Sequence, residues 1–147
     1  MIREIKFRAK GDDKQTKDKW FYGSYYQTDD TTYCFEEDYA NHPDNTKHYI
    51  LFDEMTDWGL PNRKMRASIN PETLGQFTGL CDKNENRIYE GDILKGTFYG
   101  YLLERDNEIF AVKWDEKNAG FLANYFEPSK CEVIGNVFEN PELLKGK

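Results

Sequence analysis

The chain has 147 residues, of which 38% are hydrophobic, 16% aromatic and 32% charged, with a formal net charge of -7. That length fits a single domain, one that buries roughly 68–70% of its unfolded surface without disulfide or metal staples. Ten Tyr, ten Phe and three Trp exclude a disordered polar chain and lean the composition towards sheet.

Charge is unevenly distributed. Residues 1–20 hold seven Lys/Arg against four Asp/Glu, residues 21–60 one against nine, and residues 61–147 twelve against fourteen. Phosphate-backbone recognition rests on Lys and Arg displacing condensed counterions, so the acidic middle argues against a generic nucleic-acid binder. The charged N-terminus lacks the apolar run of a signal peptide, no stretch approaches a membrane span, and a cytoplasmic protein is expected. Cys34, Cys81 and Cys131 are odd in number and not closely spaced, which suits reduced thiols.

In chain order, Arg3–Ala9 alternates, with Ile5, Phe7 and Ala9 on one side, and predicts a half-buried first strand. Lys10–Lys19 is a charged loop. The aromatic run Trp20–Tyr26 predicts a second strand, Gln27–Thr31 a turn, Thr32–Glu36 a short third strand and His48–Phe52 a fourth. Asp53–Asn70 has no sustained period and reads as a connector between two lobes, residues 1–70 aromatic and acidic, residues 71–147 barrel-like. In the second lobe, Thr73–Leu80, Ile88–Leu94, Phe98–Leu103, Glu108–Trp114 and Cys131–Phe138 read as strands. Asn140-Pro141-Glu142 offers an N-cap, a Pro at the first helical position and a first-turn acid, so a short terminal helix follows. The expected fold is therefore mainly β: a short-stranded pseudo-barrel with an N-terminal hairpin section and a short helical element.

Four blocks carry a resemblance: Arg3–Ala9; Thr73-Leu74-Gly75-Gln76-Phe77-Thr78-Gly79-Leu80-Cys81-Asp82-Lys83-Asn84; Ile88-Tyr89-Glu90-Gly91-Asp92-Ile93-Leu94; and Val133–Leu144, which contains Gly135 and Asn136. In order and spacing they resemble the YopX family, and the match spans the chain. The resemblance implies a β pseudo-barrel with a helical cap and a phage or prophage setting in a bacterial cell, and it assigns no biochemical activity. Read physically, Gly75 and Gly79 around Gln76, Phe77 and Thr78 mark a bulge or a close backbone approach. Gly91-Asp92 reads as a turn, with Gly91 free to take positive φ and Asp92 bonding nearby backbone.

Chemistry-bearing patterns are few. Asp82, Asn84 and Asn86 take the first, third and fifth places of a calcium loop, but Arg87 stands at the sixth and Ile93 at the twelfth, so a hairpin tip is the better reading. His42 and His48 have no Cys-x-x-Cys pair for a zinc site, and phosphate-cradling and nucleophile-elbow motifs are absent. The consecutive acids Glu36, Glu37 and Asp38 read as a solvated edge. No catalytic residue, metal or cofactor is expected. Aromatics are the surplus. Trp20, Phe21, Tyr22, Tyr25 and Tyr26 occupy both faces of one strand, and a second layer or another subunit is expected to cover one face.

The leading expectation is a phage-type accessory protein that self-associates or binds a host or phage protein, with Tyr25 and Trp58 on its contact surface. Two alternatives accompany it. One is a nucleic-acid role for the barrel half through Lys95, Arg105, Lys113, Lys117, Tyr99 and Tyr101, and the other an acidic mimic of nucleic acid that occupies a basic host protein.

Overall fold

A computed structural model describes residues 2–29, 32–42, 46–99, 104–121 and 126–145. The chain is mainly β, in several antiparallel sheets, and the described strands form no closed barrel. Two compact units are present, one of Lys6–Leu74 and one of Met1–Ile5 with Gly75–Lys147. No helix among the described residues is long and apolar enough to cross a membrane.

The first unit is a four-stranded antiparallel sheet in the order β4-β3-β2-β1, from β1 (Phe7–Lys10), β2 (Trp20–Asp29), β3 (Thr46–Met55) and β4 (Pro61–Ser68). Register follows from burial, since strand residues alternate faces and cross-strand partners share one. Ala9 pairs Phe21, Tyr25 pairs Ile50, and Ile50 pairs Ala67, which places Phe7, Ala9, Phe21, Tyr25 and Ile50 on one face. Ala9, Ile50 and Ile69 are buried there, with Phe7, Phe21, Tyr25 and Leu74 packed against them. An isolated bridge from Gly11 to Ile69 brings the chain just past β4 back to the end of β1.

The second unit holds the hairpin β5 (Gly75–Cys81) and β6 (Arg87–Tyr89), and a three-stranded sheet in the order β11-β7-β8. The latter comprises β7 (Asp92–Tyr99), β8 (Glu104–Ala111) and β11 (Glu132–Asn136), while β9 (Trp114–Asp115) and β10 (Gly120–Phe121) form a small ladder. Its core is Ile88, Leu94, Val112, Phe126 and Cys131, flanked by Leu80, Phe110, Phe121 and Val133.

Several expectations are corrected. The first strand begins only at Phe7, and Ile5 is exposed. Gln27–Asp29 extend β2 instead of turning, because β3 supplies partners as far as Thr46. Thr32–Glu36 is not a strand; Glu36–Ala40 forms a five-residue helix, α1, whose first turn gathers Glu36, Glu37 and Asp38 at the positive end of the helix dipole. The supposed connector is the end of β3, a turn, and β4. Ile88–Leu94 breaks at Glu90–Gly91 into β6 and β7. Of Phe98–Leu103, residues 100–103 lie outside the described residues, and Phe98 and Tyr99 close β7. The terminal helix is a 3-10 turn over Pro141–Leu144, and Asn140 makes no side-chain cap; its Oδ1 instead accepts from the Asn136 amide at 3.3 Å.

Gly91 has φ +91°, and a Cβ there would stand 3.1 Å from the Phe138 ring. Its amide donates to Val112 O at 2.9 Å and its carbonyl accepts from Val137 N at 2.8 Å, so the strained position cannot relax without breaking a junction between strands. Gly91→Ala is expected to lower the free energy of unfolding by about 1–3 kcal/mol, measured by chemical denaturation; an unchanged midpoint would show that the turn relaxes freely.

Candidate functional site

The residues singled out from the resemblance lie in the second unit, and several of them hold backbone geometry. A Cβ on Gly75 would lie 2.5 Å from the Glu90 carbonyl oxygen, a close approach only glycine permits. Gln76 O accepts from Glu90 N at 2.9 Å, and Thr78 Oγ1 donates to Ile88 O at 2.8 Å. Gly79, at φ +87°, lies in the register shift between Phe77 and Cys81, the irregularity that its two flanking glycines suggest. Phe77 packs on Tyr89, and the Arg87 guanidinium lies 5.0 Å over the Phe77 ring while pairing with Glu4 at 2.6 Å. Asp92 is buried and accepts from Tyr89 N at 2.8 Å. Gly135 sits against the Asn140 side chain, and Asn136 Oδ1 accepts from the amides of Phe138 and Glu139.

Asp82 closes the β5–β6 hairpin. Oδ1 accepts from Asn84 N at 2.9 Å and Asn86 N at 2.8 Å, while Oδ2 accepts from Val133 N at 2.9 Å and Asn86 Nδ2 at 3.3 Å. Both oxygens thus serve the loop and its neighbour β11. Burial is the largest single influence and pushes the carboxyl up, but the amides of Val133, Asn86 and Asn84 together hold it below the usual carboxylate range. Among the described residues, no three His, Cys, Asp or Glu side chains gather as a metal site. Cys131 is buried, and burial pushes its thiol up, away from the thiolate form.

The residues of the barrel-half alternative are differently placed. Lys95 pairs across strands with Glu132, Arg105 with Phe98, and the Tyr99 hydroxyl bonds Glu127 at 3.2 Å and Lys130 at 3.3 Å. Lys113 follows β8, Lys117 lies in the β9–β10 turn with its amide on Asp115 Oδ1, and Tyr101 lies outside the described residues.

Tyr25 and Trp58 do not belong to one surface. Tyr25 is half-buried, packs on Phe7 with ring centroids at 5.9 Å, stacks on His48 and has its hydroxyl 2.6 Å from His48 Nδ1. Trp58 is 90% exposed at the tip of the β3–β4 hairpin. Met55 at 54% and Leu60 at 63% exposed share that tip. The tip is braced: Thr56 N donates to Leu60 O at 2.8 Å, Gly59 N to Thr56 O at 2.9 Å and Leu60 N to Thr56 Oγ1 at 3.2 Å. Its flanks carry Arg63 on Glu54 at 2.6 Å and Lys64 on Asp53 at 2.8 Å.

The second face of the four-stranded sheet was not foreseen as a unit. Register places Arg8 and Lys10 beside Tyr22 and Trp20, Tyr26 beside Tyr49, Leu51 beside Arg66 and Asp53 beside Lys64. Arg8 and Lys10 lie 4.7 and 5.3 Å over the Trp20 ring; Arg66 lies 4.5 Å over Tyr49 and donates to the Tyr26 hydroxyl at 3.2 Å, and Tyr26 stacks on Tyr49 at 5.2 Å. The expected second layer over the aromatics is thus supplied in part by the apolar stems and planar heads of cations from β1 and β4. A sequence signal existed in the alternation Lys6, Arg8, Lys10 and Lys64, Arg66, but only pairing shows that these fall on the aromatic face.

The molecule is therefore a small antiparallel β protein with an apolar hairpin tip and a cationic, aromatic sheet face. The chain belongs to the YopX family: the family model described as YopX protein matches residues 6–145, which confirms the resemblance read from the four blocks. Among solved structures it is similar to protein EF1440 from Enterococcus faecalis, at 22% identity and a TM-score of 0.45, over 96% of this chain and 98% of that one. A comparison with curated proteins gives no match.

Because the folded Asp82 carboxyl titrates below its unfolded value near 3.9, its contribution is present above about pH 4 and is lost as pH falls through the folded value. Asp82→Asn, which cannot accept on both oxygens, is expected to cost about 1–3 kcal/mol at pH 7, with the deficit shrinking towards pH 2. Urea titrations across that range test this, and a pH-independent deficit would count against the carboxylate's role.

Proposed function

We propose that this protein is a non-catalytic accessory protein of phage or prophage type that acts through protein–protein contact, beginning with self-association through the β3–β4 hairpin tip. The observation that carries this reading is the grouping of Met55, Trp58 and Leu60, three large apolar side chains exposed together on a hydrogen-bonded turn. The hydrogen-bonded turn leaves little backbone to order on binding, and Trp is enriched among residues that dominate interface energies. A second copy is the occupant the charges favour. The tip carries Glu54 on β3 and Arg63 on β4, so a twofold apposition sets Glu54 of one copy opposite Arg63 of the other. The strands around the second core, β5–β6 with β7, β8 and β11, correspond on this reading to the family's pseudo-barrel and serve as the scaffold.

Size-exclusion chromatography with light scattering is expected to return a dimer for the native chain and a monomer for Trp58→Ala, with native circular dichroism because Trp58 lies outside both cores. A native monomer, or a dimer indifferent to Trp58→Ala, would overturn the reading.

A further inference from the structure

The aromatic, cationic face of the β1–β4 sheet is separate from the hairpin tip in chemistry and calls for a different partner. Its strand positions carry Lys10, Lys47, Lys64 and Arg66, with Asp53 as the acid among them and Arg8 buried against the Trp20 ring, in a chain whose overall charge is -7. Lys6 extends this set: it lines an open cleft of about 520 Å³ together with Trp20, Tyr22, Leu51 and Lys64. Lys10 and Lys47 line a second cleft, also of about 520 Å³, together with Asp12, Lys17 and His48. Trp20 and Tyr22 line the first cleft, and Tyr26 and Tyr49 lie on the same face of the sheet.

We propose that this face binds single-stranded nucleic acid, with the cations following the phosphates and the aromatic rings and the Arg66 plane receiving bases. Concentrated positive charge on an otherwise acidic protein selects a polyanion. The rings narrow the choice. Trp20 and Tyr22 are neighbours on one face of β2, so they stand about 6.6–6.8 Å apart along the strand, twice the ~3.4 Å rise of stacked bases in a duplex. Bases still stacked in a duplex cannot meet successive rings, whereas an unstacked strand can spread its bases over them. An acidic peptide would satisfy the cations but leave Tyr22, the exposed ring of this face, without a flat partner. Tyr22 is 42% exposed and so accessible, and Arg66, laid on Tyr49 from an exposed strand, prolongs the Tyr26–Tyr49 stack as a planar cation on which a base can lie.

The test is fluorescence anisotropy with labelled oligothymidine of about 10 nucleotides, within the ~4–16 nucleotides that single small β domains cover. Such a probe engages one protomer, so Trp58→Ala is expected to leave its affinity unchanged even where that substitution abolishes self-association. Binding is expected at 50 mM salt and to weaken about 50-fold at 200 mM, the slope for roughly four phosphates neutralised on a single strand. Tyr22→Ala should weaken it about tenfold while Tyr22→Phe, which keeps the ring, binds like the native protein; Lys64→Glu should weaken it and flatten the salt dependence. Absence of binding at 50 mM salt, equal affinity for a duplex of the same length, or indifference to both Tyr22→Ala and Lys64→Glu in variants with native circular dichroism would each overturn the proposal.

Discussion

The register of β2 between β1 and β3 is the constraint on which the first unit depends. Side chains alternate with a period of two, so a slip by one residue would send Phe21 and Tyr25 into solvent and turn Trp20, Tyr22 and Tyr26 inward. Exposing a buried aromatic forfeits about 1.5–3 kcal/mol. A slip of β1 along with β2 would also carry Lys10 into the apolar side, where an uncompensated charge costs several kcal/mol more. The desolvation terms dominate, and they point the same way as burial. One register therefore fixes both the core that Ala9, Ile50 and Ile69 share and the identity of the groups shown on the opposite face.

How much of this was legible depends on the kind of strand. Runs with a buried, β-prone character, such as Trp20–Tyr26, His48–Phe52 and Cys131–Phe138, were found because burial on at least one face writes apolar residues into the pattern. The β4 strand was missed because it pairs only with β3 in the first unit's sheet and is largely exposed: Pro61, Arg63, Lys64 and Arg66 suit a solvated edge guarded against aggregation, and only Met65 and Ala67 hint at a covered side. The segment Thr32–Glu36 failed for the opposite reason. Its Thr, Tyr and Phe have strand propensity, yet the three acids that follow are better placed at a helix N-terminus than in a ladder. The tip was visible only as scattered Met55, Trp58 and Leu60, since their exposure follows from the turn that joins β3 to β4.

In the second unit, by contrast, the recognisable residues do architectural work. Asp82 and Asp92 are buried carboxylates that accept from backbone amides and, in Asp82, from the loop's own Asn86, a use that satisfies donors no ladder reaches. Gly75, Gly91 and Gly135 stand where a Cβ would meet a carbonyl, a ring or the Asn140 side chain. A motif made of such residues reports that a backbone geometry is required, and geometry of this kind can be shared by proteins whose surfaces differ. The acidic, aromatic section between Gln27 and Arg66, which lies outside the four resembling blocks, is where this chain carries its exposed tip and much of its cationic face.

Charge counted along the chain and charge counted across a sheet give opposite answers for that section. By segment, residues 21–60 are strongly acidic; by face, β1 and β4 lend their cations to the rings of β2 and β3, while Glu54, also on β3, falls on the side shared with Phe52 and Arg63. Antiparallel pairing does this whenever basic strands flank an aromatic pair in matching phase. Net charge then governs solubility and long-range repulsion, whereas a ligand at contact distance feels the local face, because at physiological salt the Debye length of about 8 Å screens acids on more distant surfaces. An acidic protein can on these grounds present a surface that attracts anions, and the segment-wise argument against polyanion binding holds only for a chain whose strands are not paired.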